Sequence, residues 1–156
     1  VSFMYGSAGA EHVLNLIDVH MKCCNDGLER RHQASIMLHE YLENKMAWGD
    51  SNFVVSGDWN DDIYDADGSG LYSFDAFLTD QSNFKFATDS LAATRSNMNA
   101  SYPSYGSFID NHLISRSYFD EARRSITRTI RLDEVFGDYS SVVSDHRPVL
   151  WSFRPN

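Results

Sequence analysis

Ser56-Gly57-Asp58-Trp59-Asn60 decides how this 156-residue chain is read. The string follows Phe53-Val54-Val55, an apolar strand candidate, and sets a carboxylate and a carboxamide two residues apart. Residues i and i+2 of an extended segment point to one side, so Asp58 and Asn60 are expected to converge on one ligand at a strand end. Gly57 is expected to let the backbone come close to that ligand. Oxygen ligands beside an amide donor suit a hard cation with a phosphate attached. The same string also reads as a polar turn that closes a strand.

Three further segments carry polar groups at strand edges. Val13-Leu14-Asn15-Leu16-Ile17 is an apolar run that delivers Asp18-Val19-His20-Met21-Lys22, with a histidine at its tip. Ser107-Phe108-Ile109-Asp110 leads into Leu113-Ile114-Ser115. Ser144-Asp145-His146-Arg147-Pro148-Val149 lies between Val142-Val143 and the strand candidate Val149-Leu150-Trp151-Ser152-Phe153. Strand edges are where α/β enzymes place their chemistry.

Taken in order, V-H-x-K, G-D-W-N, I-D-x-x-L-I-S and S-D-H-R-P-V resemble the endonuclease/exonuclease/phosphatase superfamily. The resemblance spans the chain and implies an α/β fold, one half of a DNase I-like four-layer sandwich. That half has a mixed, mainly antiparallel sheet with helices on one face. Relatives also carry an N-terminal half with an asparagine near the first strand and a glutamate that is the main metal ligand. Neither has a counterpart here, so residues 1–156 are expected to form a single partial domain with an incomplete metal site.

The resemblance also implies a reaction: hydrolysis of a phosphate ester, of nuclease or phosphatase type, with Mg²⁺ or Mn²⁺. His146 would be the general base for water and Asp110 would hold its other ring nitrogen, fixing the tautomer. Asp58 would orient the water or contact the metal, Asn60 would hold a phosphate oxygen or the metal, and Asp145 would approach the metal. His20 would bond a phosphate oxygen or protonate the leaving group, as in DNase I-type nucleases, sphingomyelinases and inositol-phosphate phosphatases. Nucleic acid, phospholipid headgroup and inositol phosphate all fit as substrate. Each residue also has a plainer role: His20 as a satisfied strand-end histidine, Asp145 as a turn cap, Asp110 in a surface ion pair. His12, His32, His39 and His112 match no motif and read as structural or solvent-facing.

Bulk properties narrow the classes. Hydrophobic content of 42% and aromatic content of 13% belong to a packed globular chain. The net charge of −9, with a pI near 4.9, argues against a non-catalytic nucleic-acid-binding module, which needs Lys and Arg for phosphate. A bound divalent cation would supply the positive charge that an enzyme needs locally. Arg116, Arg123, Arg124, Arg128 and Arg131 form either a phosphate-facing patch or a solvated basic face. No apolar stretch is long enough to cross a bilayer and no signal peptide is visible, while an opening valine leads to the expectation of a natural start further upstream. Cys23 and Cys24 are adjacent, and free thiols are expected because a vicinal disulfide is strained.

Local patterns complete the reading. Residues 1–4 are expected to form a strand, and 28–46 a helix with Ala34, Leu38, Tyr41 and Leu42 at inward spacing, ended by Gly49-Asp50. Residues 74–80 are expected to be a short helix, 84–86 a strand, 118–124 a helical turn, and the rest of 81–107 long loops. Asp65, Asp67 and Ser69 follow a calcium-loop spacing, but position 12 is Ala76 where a bidentate glutamate belongs, so only a looser Ca²⁺ site is read there. Apolar strands without their facing sheet would leave a large open patch, and a homodimer is expected to bury it if the N-terminal half does not. The other class of function is a catalytically inactive half-domain acting as an interaction or Ca²⁺-binding unit.

Overall fold

Runs rich in apolar, β-branched and aromatic residues fold into a five-stranded mixed sheet. The structure, a computed structural model, describes residues 1–7, 10–64 and 72–155. The strands are β1 (Ser2–Ser7), β2 (Ala10–His20), β3 (Phe53–Asp58), β4 (Phe84–Phe86) and β5 (Asp110–Ser115), in the order β1-β2-β3-β5-β4. Only β2 and β3 are parallel; the other pairs are antiparallel. A parallel pair needs a crossover, and α1 (Leu28–Ala47) supplies it. A two-stranded sheet pairs β6 (Ile126–Thr129) with β7 (Val149–Ser152), antiparallel. The fold is therefore mixed α/β.

Register sorts the side chains into rows. Leu16, Val54 and Ile114 are aligned across β2, β3 and β5, then Asp18, Ser56 and His112, then His20, Asp58 and Asp110. One face of the sheet thus runs from an apolar row to a charged row at the strand ends. Because the side-chain period is two, the opposite face carries Ile17, Val55 and Leu113, which join the main core.

The helix α1 covers that opposite face. Its inward stripe is Arg31, Ser35, Leu38, Leu42 and Met46, not the Ala34 and Tyr41 that simple hydrophobicity suggested; Ala34 is exposed and Tyr41 is 49% exposed. The stripe turns because Arg31 and Ser35 are buried with their polar atoms paired, Ser35 Oγ donating to the Ser73 carbonyl at 2.6 Å. Leu42 is fully buried, worth roughly 1.5–3 kcal/mol. Gly49, at φ +92°, takes the left-handed conformation that ends the helix.

Short helices α2 (Asp75–Thr79) and α3 (Asp89–Ala93) bring Phe77 and Ala92 into the same core. Trp59 sits at its centre, fully buried, with edge-on contacts to Phe74, Phe77 and Phe86 and its indole N–H on the Asn111 carbonyl. Helices are not confined to this face, however. The single turn at Arg116–Tyr118 and α4 (Phe119–Ala122) pack Tyr118, Phe119 and Ala122 on Val54 and Ile114, where Trp151 and Phe153 join them. The apolar half of the second face is covered there, while Phe3, on the β1 side in register with Leu14, is 48% exposed. Residues 81–107 contain α3 as well as β4, so they are more regular than their Ser/Asn/Thr content suggested. The calcium-loop spacing at Asp65, Asp67 and Ser69 lies outside the described residues.

Candidate active site

The charged row at the strand ends opens into a cleft of about 1140 Å³. His20, Asp58, Asn60, Asp110, Asp145 and His146 all line it, so the four motifs that are far apart in sequence meet in one place. Three of those motifs, on β2, β3 and β5, arrive by sheet register, with Asp58 between His20 and Asp110.

His146 is held by a carboxylate at one ring nitrogen and by an aromatic ring on its face. Its Nδ1 lies 2.8 Å from Asp110 Oδ2, and a carboxylate accepts, so Nδ1 carries the proton. The Nε2 atom makes no hydrogen bond among the described residues. Tyr102 stacks on the imidazole at 4.9 Å between ring centroids, 29° from parallel, and Tyr105 stacks on Tyr102 in turn. Ligand atoms of Asp58, Asp110 and His146 lie within 4.8 Å of one another. Asp145 is exposed and borders the cleft without joining that trio.

Asp58 and Asn60 do converge, by a different route from the extended one expected. The strand ends at Asp58, and Asn60 turns back at φ +55°. Asp58 accepts from the Asn60 backbone N–H at 2.8 Å and from Asn60 Nδ2 at 2.9 Å, while Nδ2 also donates to the Met21 carbonyl at 3.0 Å. With its amide donors used in this way, Asn60 offers Oδ1, an oxygen suited to a cation. Burial pushes the Asp58 carboxyl up, the Asn60 N–H opposes this, and nearby Asp110 adds to the rise. His20 is 77% exposed and holds Nε2 3.5 Å from Asp58 Oδ2.

Gly57 serves the sheet. At φ +142° an added Cβ would sit 2.0 Å from the Val19 carbonyl oxygen, so the close approach is by the neighbouring strand.

Several positioning residues were not expected from sequence. Arg31, 4% exposed, donates from Nε and Nη2 to Asp61 at 3.2 and 2.9 Å and from Nη1 to the carbonyls of Lys22 and Cys24 at 2.8 and 2.9 Å. It thereby ties the loop after His20 to the loop after Asn60. Asp62 accepts from the Phe108 N–H, and Ser101 Oγ accepts from the N–H groups of Ile109 and Asp110, which together set the start of β5. Arg147 binds Asp133 through two bonds of 2.7 and 2.6 Å and anchors the segment that carries His146. The i-to-i+1 neighbours of motif residues, Asp61 and Arg147, were the available signal.

None of Arg116, Arg123, Arg124, Arg128 and Arg131 borders the cleft, and Arg123 and Arg131 pair with Asp120 and Glu134. Cys23 and Cys24 border it as free thiols. Among the described residues no helix is long and apolar enough to cross a membrane. No protein-family model matches the chain, and no curated protein does.

Proposed function

We propose that the chain is a divalent-metal-dependent phosphoesterase of the endonuclease/exonuclease/phosphatase superfamily, built as the C-terminal half of a DNase I-like sandwich. The observation that carries this reading is the Asp110–His146 pair, closed at 2.8 Å beside Asp58 in an open cleft. The layering supports it too, with α1 outside one face of the sheet and β7 residues on the other.

The donor set fits a hard cation: Asp58, the carboxamide oxygen of Asn60 and Asp145 are all oxygen donors that line one cleft. These residues would hold Mg²⁺ or Mn²⁺, which when bound supplies charge neutralisation at the phosphate. His146 Nε2, the unprotonated nitrogen, takes a proton from the attacking water as the new oxygen–phosphorus bond forms and the bond from phosphorus to the leaving oxygen breaks. Asp110 keeps the ring in that tautomer and stabilises the imidazolium. His20, exposed at the rim, donates a proton to the leaving oxygen.

The test is turnover of a chromogenic phosphodiester by the purified chain with Mg²⁺ or Mn²⁺. The expected result is hydrolysis that a chelator abolishes and that Asp58→Ala lowers by at least about 10²-fold. Cation binding without hydrolysis would favour the inactive half-domain instead. We also propose that a second copy covers the open β1–β2 part of the sheet around Phe3; a monomer in light scattering at micromolar concentration would contradict this.

A further inference from the structure

A second histidine–carboxylate cluster lies on α1, about 16 Å along the helix axis from its first residue and apart from the cleft. His39 Nε2 is 3.0 Å from Asp80 Oδ2, and His39 Nδ1 is 3.4 Å from Glu43 Oε2. The i,i+4 spacing puts His39 and Glu43 on one helix face, and Asp80, just after α2, meets them across the packing interface. Ligand atoms of all three lie within 4.8 Å of one another.

We propose that His39, Glu43 and Asp80 form a structural binding site for a borderline divalent cation, Zn²⁺ in the first instance, that pins α1 to the turn leading into β4. The donor types are right: one imidazole nitrogen and two carboxylate oxygens leave a fourth position for water. The spacing is also right. Ligands about 2.0–2.2 Å from a tetrahedral Zn²⁺ stand roughly 3.3 Å apart, close to the His39–Asp80 separation. Glu43 now stands at the other ring nitrogen, Nδ1, and must swing around the ring edge to join Nε2 and Asp80; its side chain is 51% exposed and has the room to do so.

The two inner ligands are already fixed. His39 is wedged edge-on against Phe77 and Phe84, with ring centroids at 5.4 and 5.3 Å, which locks its orientation. Asp80 accepts from Asn83 Nδ2 at 3.1 Å and Ser82 Oγ at 3.0 Å, so its carboxylate is held by outer partners of the kind that support metal ligands. The side chains of His39 and Asp80 are 15% and 19% exposed, which leaves the site open to an ion and shielded from bulk water. The phosphoesterase reading is not needed for any of this.

The test is Zn²⁺ titration by calorimetry, with thermal unfolding beside it. The expected result is an equivalent of Zn²⁺ that binds equally well to His146→Ala and to the Cys23→Ser/Cys24→Ser variant. Affinity falls at least about 10-fold in His39→Ala and in Asp80→Asn, and the Zn²⁺-dependent rise in Tm disappears with it. Asp80→Asn is close in shape and keeps the test valid where His39→Ala fails to fold. Zn²⁺ binding unchanged by Asp80→Asn, binding lost only with the thiols, or no binding to the unaltered chain would each overturn the proposal.

Discussion

His146 and His39 have nearly the same partners and opposite surroundings. Each closes on an aspartate, at 2.8 and 3.0 Å, and each has a second carboxylate close by. His146 spends one ring nitrogen on Asp110 and stands at the strand ends in a cleft, its face against Tyr102. His39 spends Nε2 on Asp80, has the Glu43 carboxylate 3.4 Å from Nδ1, and is flanked by two phenyl rings away from the cleft. A histidine–aspartate pair does not by itself make a base. The base also needs an unengaged nitrogen and room beside it for a water.

The largest effect that sharpens this contrast is on turnover. Asp110→Asn is expected to lower hydrolysis about 10²–10⁴-fold with little change in Tm, while Asp80→Asn leaves turnover within about twofold. Equal losses in both would erase the distinction. Next comes the scaffold around the first cluster. Arg31→Ala is expected to cost roughly 3 kcal/mol in urea unfolding, since Asp61 and two loop carbonyls lose their partner together. Removing His39, by His39→Ala, should cost roughly 1.5–3 kcal/mol in the same assay, because its bond to Asp80 is to a carboxylate.

A third histidine gives a smaller, pH-dependent effect. His112 Nε2 lies 3.0 Å from the Val149 carbonyl, which can only accept, so Nε2 carries the proton and Nδ1 accepts from Ser56 Oγ at 2.9 Å. Burial pulls the His112 pKa below its ordinary value, and the Val149 bond only partly opposes this. A depressed folded pKa means that its contribution is present above the unfolded value, near 6.5, and is lost as pH falls through the folded one. The unfolding midpoint should therefore drop on acidification below about pH 6.5, and His112→Gln should flatten that slope. Smallest of all, Asp58 has the opposite sign. Burial raises its pKa, so ionisation opposes folding as pH rises through that raised value, and Asp58→Ala should remove this part of the pH dependence while impairing hydrolysis.

Much of this was legible in the sequence for a physical reason. Strand ends are marked by abrupt changes from apolar to polar residues, as at Val55-Ser56 and Val19-His20, and those changes placed β2, β3, β5 and β7. The candidate site followed because its groups sit at those ends. Partner choice was not legible. Nothing in the spacing of α1 said that Arg31 and Ser35 would turn inward, because their burial depends on Asp61 and Ser73, 30 and 38 residues away. Sequence alone could not show that the carbonyl of Val19, on a neighbouring strand, requires a glycine at position 57. The engagement of His39 was hidden for the same reason, since Asp80 reaches it only through tertiary packing.

The most direct measurement is hydrolysis of a chromogenic phosphodiester with Mg²⁺ or Mn²⁺ by the chain, His146→Ala and His39→Ala, run side by side. Metal-dependent turnover is expected to fall about 10²–10⁴-fold in His146→Ala and to survive in folded His39→Ala. Turnover that survives in His146→Ala, or that falls equally in His39→Ala, would contradict this.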